Sequence, residues 1–259
     1  MLLAIDIGNT NIVLGVFDGK TIVQSWRLTT LRERTGDELG LLVDGLFGGA
    51  HLNRKKIAGV ILASVVPPLT VPAQEMVQRY FGLKAMTVEP GLNTGMPILY
   101  DTPADVGADR IVNGIAAYEK YGRATGSPLV VVDFGTATTL DAISGKGEYL
   151  GGAICPGVTI SADALFQRAA RLPKIDVRKP ATVIGRTTVG AMESGLFWGY
   201  VDMVEGLVRR MSNELGGKDV VCVATGGLAT IIAPETKLIQ HVDPDLTLDG
   251  LRIVWERNQ

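Results

Sequence analysis

The chain has 259 residues, 46% of them hydrophobic and 20% charged, with 25 Lys and Arg against 27 Asp and Glu for a formal net charge of -2. That length can bury a sizeable core, and the composition is that of an ordinary globular protein. The balanced charge, without a long basic run, argues against the clustered positive face of a nucleic-acid binder, and no window approaches the roughly 20 apolar residues of a membrane span.

The start, Met1 to Asp6, is apolar but too short for the hydrophobic region of a signal peptide and lacks its basic lead, so the expected compartment is the cytosol. Cys155 and Cys222 have no metal-ligand spacing and read as reduced core residues. His51 and His241 are the only histidines. Neither has a second ligand type at metal-site spacing, which leaves histidine-based zinc or triad chemistry without material.

Leu2-Leu3-Ala4-Ile5-Asp6 reads as a buried strand, followed by Gly8-Asn9-Thr10-Asn11 and a second strand over Ile12 to Phe17. Asp18-Gly19 signals a hairpin turn, and Thr21 to Leu28 a third strand. Asp37 to Phe47 has helical spacing with an acidic start. Ile57 to Val66 is a buried strand stopped by Pro67-Pro68, Val71 to Phe81 a helix, and Ala85 to Val88 a short strand. Residues 90 to 104 are rich in Gly, Pro, Asn and Asp and read as a long functional loop before a helix over Ala108 to Tyr121.

The opening pattern then returns. Leu129-Val130-Val131-Val132-Asp133 is again an apolar strand ending in Asp, followed by Gly135-Thr136-Ala137-Thr138, a strand through Ile143 and the turn Ser144-Gly145. Asp6 matches Asp133 and Gly8 matches Gly135. One long-period repeat of this kind points to a duplicated domain, divided into residues 1–114 and 115–259. The second half continues with a strand over Tyr149 to Ile154, Pro156-Gly157, and a helix from Thr159 to Ala170. Thr187-Thr188 caps a long helix that runs through Met211 with apolar residues at three- and four-residue spacing. Gly190, Gly195, Gly199 and Gly206 interrupt it, which points to close backbone packing, within the chain or against another subunit. Val220 to Ala224 is a buried strand running into Thr225-Gly226-Gly227, and Asp249 to Arg257 a final helix. Lys174, Arg178, Lys179 and Arg186 read as a solvated charged stretch.

A strand that ends Asp-x-Gly-x-Thr twice has a physical rationale. Glycine at a hairpin tip lets backbone N–H groups approach an anion, and Asn or Thr adds neutral donors. The Asp repels phosphate but can hold a hydrated Mg2+ that bridges to it. There is no Gly-x-x-x-x-Gly-Lys-[Ser/Thr] and no Gly-x-Gly-x-x-Gly after the first strand, so P-loop and Rossmann readings fail. Gly107-Ala108-Asp109-Arg110 is the sharpest local cluster. Phosphoryl transfer to an alcohol needs a carboxylate to take the hydroxyl proton, and Arg110 could bind a substrate carboxylate in bidentate fashion while favouring the charged form of Asp109. A solvated Asp–Arg pair at a helix start is the plainer alternative.

Asp6-Ile7-Gly8-Asn9-Thr10, Gly107-Ala108-Asp109-Arg110, Asp133-Phe134-Gly135-Thr136-Ala137, Gly151-Gly152-Ala153-Ile154-Cys155-Pro156-Gly157 and Thr225-Gly226-Gly227 occur in that order. Together they resemble the type III pantothenate kinases, of the superfamily of acetate and sugar kinases, heat-shock chaperone ATPases and actin, over essentially the whole chain. The implied fold is α/β: two ribonuclease-H-like domains of the actin-like ATPase kind, mixed sheets with helices around a central nucleotide cleft. The implied activity is ATP-dependent phosphorylation of the primary hydroxyl of pantothenate, the first committed step toward coenzyme A. Asp6, Ile7, Gly8, Asn9, Thr10, Asn11, Ile12 and Val13 would hold ATP with Thr136, while Gly226 and Gly227 would support the adenosine. Asp109 would be the general base, and Tyr100, Gly107, Ala108, Arg110 and Thr188 would line the pantothenate site. Asp133 would bind a monovalent cation, K+ or NH4+, and Asp6 would reach Mg2+ through water. The resemblance also implies a homodimer with its acceptor site at the subunit interface, and no nucleic-acid or membrane partner. A kinase for another small acidic alcohol or sugar, and a nucleotide-binding regulatory protein of the same fold, remain the alternatives.

Overall fold

Each apolar run that ends in aspartate becomes the central strand of a sheet. In the computed structural model, which describes residues 1–259, Leu2–Ile7 (β1) pairs antiparallel with Asn11–Asp18 (β2), and β2 with Thr21–Thr29 (β3). On its other side β1 runs parallel to Gly59–Ser64 (β4), which pairs with Met86–Thr87 (β5). Leu129–Phe134 (β6) repeats the arrangement. It pairs antiparallel with Ala137–Ile143 (β7), which pairs with Tyr149–Pro156 (β8), and parallel with Val221–Thr225 (β9), which His241–Val242 (β10) flanks. The sheet orders are β3-β2-β1-β4-β5 and β8-β7-β6-β9-β10, one topology built twice. The fold is the α/β duplication that the sequence repeat implies.

Local chemistry explains the helix ends. Gly36–Gly49 (α1) starts at a capping box in which Thr35 Oγ1 accepts the Glu38 N–H and Glu38 Oε2 accepts the Thr35 N–H. Pro67–Phe81 (α2) begins four residues before the helix expected from Val71. The two prolines are its first turn, where no intrahelical N–H is needed, rather than a mere strand stop. It ends at Gly82, whose φ of 68° suits the left-handed cap. Ala108–Ala117 (α3) continues as one π turn, Tyr118–Gly122, closed by the Arg123 N–H on the Tyr118 carbonyl at 2.7 Å.

In the first unit α1 and α2 cover one face of the sheet, burying Leu39, Val43, Phe47, Leu69 and Val77 against Leu3, Ile5, Leu14 and Leu62. In the second, Val158–Arg168 (α4) and Thr188–Glu214 (α5) cover Val130, Val132, Leu140 and Ala224, and a short helix, Ala229–Ile232 (α6), follows β9.

The chain divides into Met1–Gly95, Asp101–Ala116 and Leu246–Gln259 as one unit, and Met96–Tyr100 with Ala117–Asp245 as the other. The crossing at Ala116 lies two residues beyond the boundary read from the sequence. The last helix, Leu246–Arg257 (α7), falls within residues 115–259 on the sequence reading but packs in the first unit. Glycines make the difference. A Cβ at Gly15 would lie 2.8 Å from Leu248, one at Gly59 2.1 Å from the Trp255 ring, and one at Gly250 2.1 Å from the Val112 carbonyl oxygen. Helix α7 therefore lies directly on β2, β4 and α3. Gly59 is an extended strand residue without a positive φ, so its substitution tests packing alone. Gly59→Ala should destabilise the protein by about 1–3 kcal/mol through overpacking, and Trp255→Leu in that background should recover part of the loss, both read as thermal unfolding midpoints.

Candidate active site

Strands β1 and β4 are parallel, so both deliver their carboxyl ends to the same edge of the first sheet, where ligands of open α/β sheets bind. Asp6 pairs in register with Val13, and the loop between β1 and β2 closes by the Gly8 N–H on the Asn11 carbonyl at 3.0 Å. Thr30 Oγ1 donates to the Gly8 carbonyl at 2.7 Å, and Arg32 Nη2 to Asn9 Oδ1 at 3.2 Å. Asn9 and Thr10 are exposed; Asp6, Gly8, Asn11 and Val13 are half-buried. The side chains of Ile7 and Ile12 lie in the core, so these two positions can serve a ligand only through their backbone.

The Gly107–Arg110 cluster belongs to the same edge. Gly107 lies against Val65, which follows β4 and donates its N–H to the Ile7 carbonyl at 3.0 Å. Asp109 stands in the first turn of α3, with Oδ1 accepting the Arg110 N–H at 2.8 Å. A Cβ at position 107 would lie 2.5 Å from that oxygen, so glycine there leaves room for the carboxylate. Burial pushes the Asp109 carboxyl above its usual range, opposed by the Arg110 N–H, the Arg110 guanidinium and its own backbone N–H. Arg110 acts in the direction expected of it, but burial wins. With Arg110 only 9% exposed, the solvated-pair alternative also fails.

The second unit presents a matching edge. Asp133 lies at the end of β6, opposite Thr139 on β7 and Thr225 on β9. Gly226 has a φ of 89°, and a Cβ there would lie 2.4 Å from Asp133 Oδ1 and 2.7 Å from the Phe134 nitrogen. Gly157 presses on the other side of the hairpin, where a Cβ would lie 2.1 Å from the Thr136 carbonyl oxygen. Tyr200 Oη donates to the Pro156 carbonyl at 2.8 Å and holds that turn. Gly135 and Gly227 are exposed and Thr136 half-buried. The structure thus packs Asp133, Thr136 and Gly226 around one tight hairpin. No cluster of three or more His, Cys, Asp or Glu residues suited to a metal occurs in the chain. A divalent ion would rest on one carboxylate plus phosphates and water, the mode Mg2+ favours. The single carboxylate of Asp6 fits that role, and the crowded Asp133 Oδ1 fits one weakly held cation.

Tyr100 is 39% exposed and rests on Gly151 and the edge of the Tyr149 ring, in the second unit. Thr188 is exposed at the first turn of α5; the helix cap is Thr187, whose Oγ1 accepts the Gly190 N–H at 3.0 Å. Tyr200 and Tyr149 hold these turns without being singled out by the sequence, whereas Gly157 belongs to the Gly151 to Gly157 stretch quoted from it. Arg178 and Lys179 are not merely solvated: they bind Glu193 and Glu235 at 2.6 and 2.7 Å. Of the α5 glycines, Gly190 packs on Gly185, whereas Gly195 and Gly199 meet open space within the chain. Burial pushes the Cys222 thiol up to about 12, so it is inert, and both cysteines are free.

The sequence profile of the type III pantothenate kinases matches residues 2–210. The chain belongs to the type III pantothenate kinase family. The type III pantothenate kinase of Moorella thermoacetica is 55% identical over 258 residues, covering all of both chains. Among solved structures, a Baf family protein from Campylobacter jejuni superposes with a TM-score of 0.56 at 19% identity, covering 99% of this chain and 97% of that one. An inorganic polyphosphate/ATP-glucomannokinase from Arthrobacter superposes with a TM-score of 0.51 at 14% identity, covering 98% of both. These two likenesses establish the fold that the sugar kinases share.

The raised Asp109 pKa carries a stability consequence. A carboxyl that holds its proton to higher pH in the folded than in the unfolded chain favours folding below the unfolded pKa. That contribution is lost as pH rises through the folded value. Asp109→Asn should therefore melt higher than the native protein at pH 7, with the gap closing toward about pH 4, the ordinary aspartate range. A lower melting point at pH 7 would contradict the burial argument.

Proposed function

We propose that this protein transfers the γ-phosphoryl group of ATP to the primary hydroxyl of pantothenate, giving 4'-phosphopantothenate and opening coenzyme A synthesis. The observation that carries the reading is Asp109, a recessed carboxyl of raised pKa at the strand ends, held by the Arg110 N–H within the residues that the family profile matches. Asp109 takes the hydroxyl proton as the oxygen bonds to phosphorus and the bond to the ADP oxygen breaks. Arg110 offers a guanidinium to the acceptor's carboxylate, with Tyr100, Gly107, Ala108 and Thr188 lining the same acceptor site. The loop from Asp6 to Val13 and the hairpin at Thr136 contribute backbone and hydroxyl donors to the ATP phosphates, and Gly226 and Gly227 support the adenosine. Bound Mg2+ would neutralise phosphate charge, with Asp6 reaching it through water.

The finer assignments are part of the same proposal. Asp133 holds K+ or NH4+, supported by its half-buried carboxylate against the Gly226 turn. The active form is a homodimer with the acceptor site at the subunit interface. Leu150 and Ile154 on edge strand β8, with Ile160, Leu165 and Phe166 on α4, lie exposed, Ile154 by 65%. The open faces of Gly195 and Gly199 would suit a close helix contact. No helix is long and apolar enough to cross a membrane, and two free cysteines accord with a cytosolic place.

Three measurements test this. Incubation with pantothenate, ATP, Mg2+ and K+ should give phosphopantothenate by mass, NH4+ should replace K+, and Na+ should not. Product from neutral sugars but not from pantothenate would overturn the acceptor. Asp109→Asn should lower turnover about 10²–10⁴-fold, the usual loss for a general base, with ATP affinity retained. By sedimentation the native chain should be a dimer and Ile154→Lys a monomer with little pantothenate turnover. A monomeric native enzyme with full activity would remove the interface from the reading.

A further inference from the structure

A carboxylate with no part in the phosphoryl transfer lies at the centre of β7. Asp141 is 0% exposed, as is Tyr149 at the start of β8. Tyr149 Oη donates to Asp141 Oδ1 at 2.7 Å, and Thr139 Oγ1 donates to Oδ2 at 3.4 Å. Tyr149 in turn holds residues 97 to 100 of the long loop that precedes α3. Its N–H donates to the Pro97 carbonyl and its carbonyl accepts the Leu99 N–H, each at 2.8 Å, so that Ile98 lies beside it in a parallel bridge. Its ring meets Tyr100 edge-on, with centroids 6.4 Å apart at 62°. Gly151, at φ 125°, lies beneath the Tyr100 ring, where a Cβ would come within 3.5 Å.

Burying a carboxylate is costly, and a purely structural role is served as well by an apolar pair of equal volume. What the carboxylate adds is direction. A hydrogen bond from the Tyr149 hydroxyl to a fixed acceptor oxygen sets the height and tilt of that ring, and residues 97 to 100 are bonded to the same residue on both its backbone groups. We propose that Asp141 is a positioning residue for the acceptor site, acting through Tyr149 to set the 97–100 segment and the Tyr100 ring. The inference rests on the reading of Tyr100 as part of the pantothenate site.

The test is the split between the two substrates. Tyr149→Phe and Asp141→Leu should each raise KM for pantothenate about 3–10-fold, the loss of one net hydrogen bond, while KM for ATP stays within about twofold. Asp141→Asn keeps an acceptor oxygen for the Tyr149 hydroxyl and should remain near the native KM. The double variant Asp141→Leu/Tyr149→Phe should be no worse than either single one, because both remove the same bond. An unchanged KM for pantothenate in folded Tyr149→Phe overturns the proposal. So does an equal rise in both KM values, or an Asn variant as impaired as the Leu one. If Asp141→Leu does not fold, Tyr149→Phe and Asp141→Asn decide alone. Tyr100→Ala separates the two layers: a raised KM there with no effect at 141 or 149 sinks only the positioning role. An unmoved KM in Tyr100→Ala removes Tyr100 from the acceptor site and the inference with it.

Discussion

The backbone must approach itself more closely at the site than any Cβ allows, and the rest of the arrangement depends on that. Gly107 lies so near the Asp109 carboxylate, Gly226 so near Asp133 and Phe134, and Gly157 so near the Thr136 carbonyl that an added carbon would fall within 2.6 Å of each. Real Cβ atoms do not occupy such positions, so these contacts exist only because three turns carry glycine. The result, in each unit by itself, is a carboxylate fixed by backbone rather than by flexible side chains.

The rigidity is underwritten by the strands behind each turn. Leu3, Ile5 and Leu62 in the first unit, and Val130, Val132 and Ala224 in the second, are fully buried or nearly so. Against that apolar burial the protein places charge where charge is costly: Arg110 and Asp141 are buried, and burial raises the Asp109 pKa. A fold selected for stability alone would avoid these groups. Two of them, Asp109 and Arg110, come together in the first turn of α3, where perturbed groups mark a candidate site.

The legible parts of the molecule are those whose signal is local. The duplicated strand, aspartate and glycine of residues 2–8 and 129–135 lie within a few positions of each other, and both sheets form around them. The acidic start of α1 and the long, capped α5 are legible for the same reason. The features hidden in the sequence depend on contacts far along the chain. Helix α7 belongs with β2 and β4 because Gly15 and Gly59 admit Leu248 and Trp255, about 200 residues later. Pro67 and Pro68 stop a strand and start a helix at once, and only the second role depends on the residues after them. Asp141 looks like any polar strand residue until β8 brings Tyr149 onto its carboxylate.

Duplication of a motif does not duplicate its surroundings, and the register shows why. Asp6 pairs with Ala63 as Asp133 pairs with Thr225, so Ser64 occupies the place that Gly226 takes in the second unit. Ser64 turns its hydroxyl to the Val66 carbonyl at 3.3 Å and accepts from the Thr70 hydroxyl at 3.0 Å, tying down the start of α2. Gly226 instead lets backbone press on the Asp133 carboxylate itself. The loop after β1 is also one residue longer than the loop after β6, since Ile7 pairs with Ile12 but Phe134 with Thr138. Asp6 stands beside the longer loop, and Asp133 in the turn that Gly226 crowds. The same strand and aspartate therefore end in different surroundings, because the residue on the neighbouring parallel strand is serine in one unit and glycine in the other.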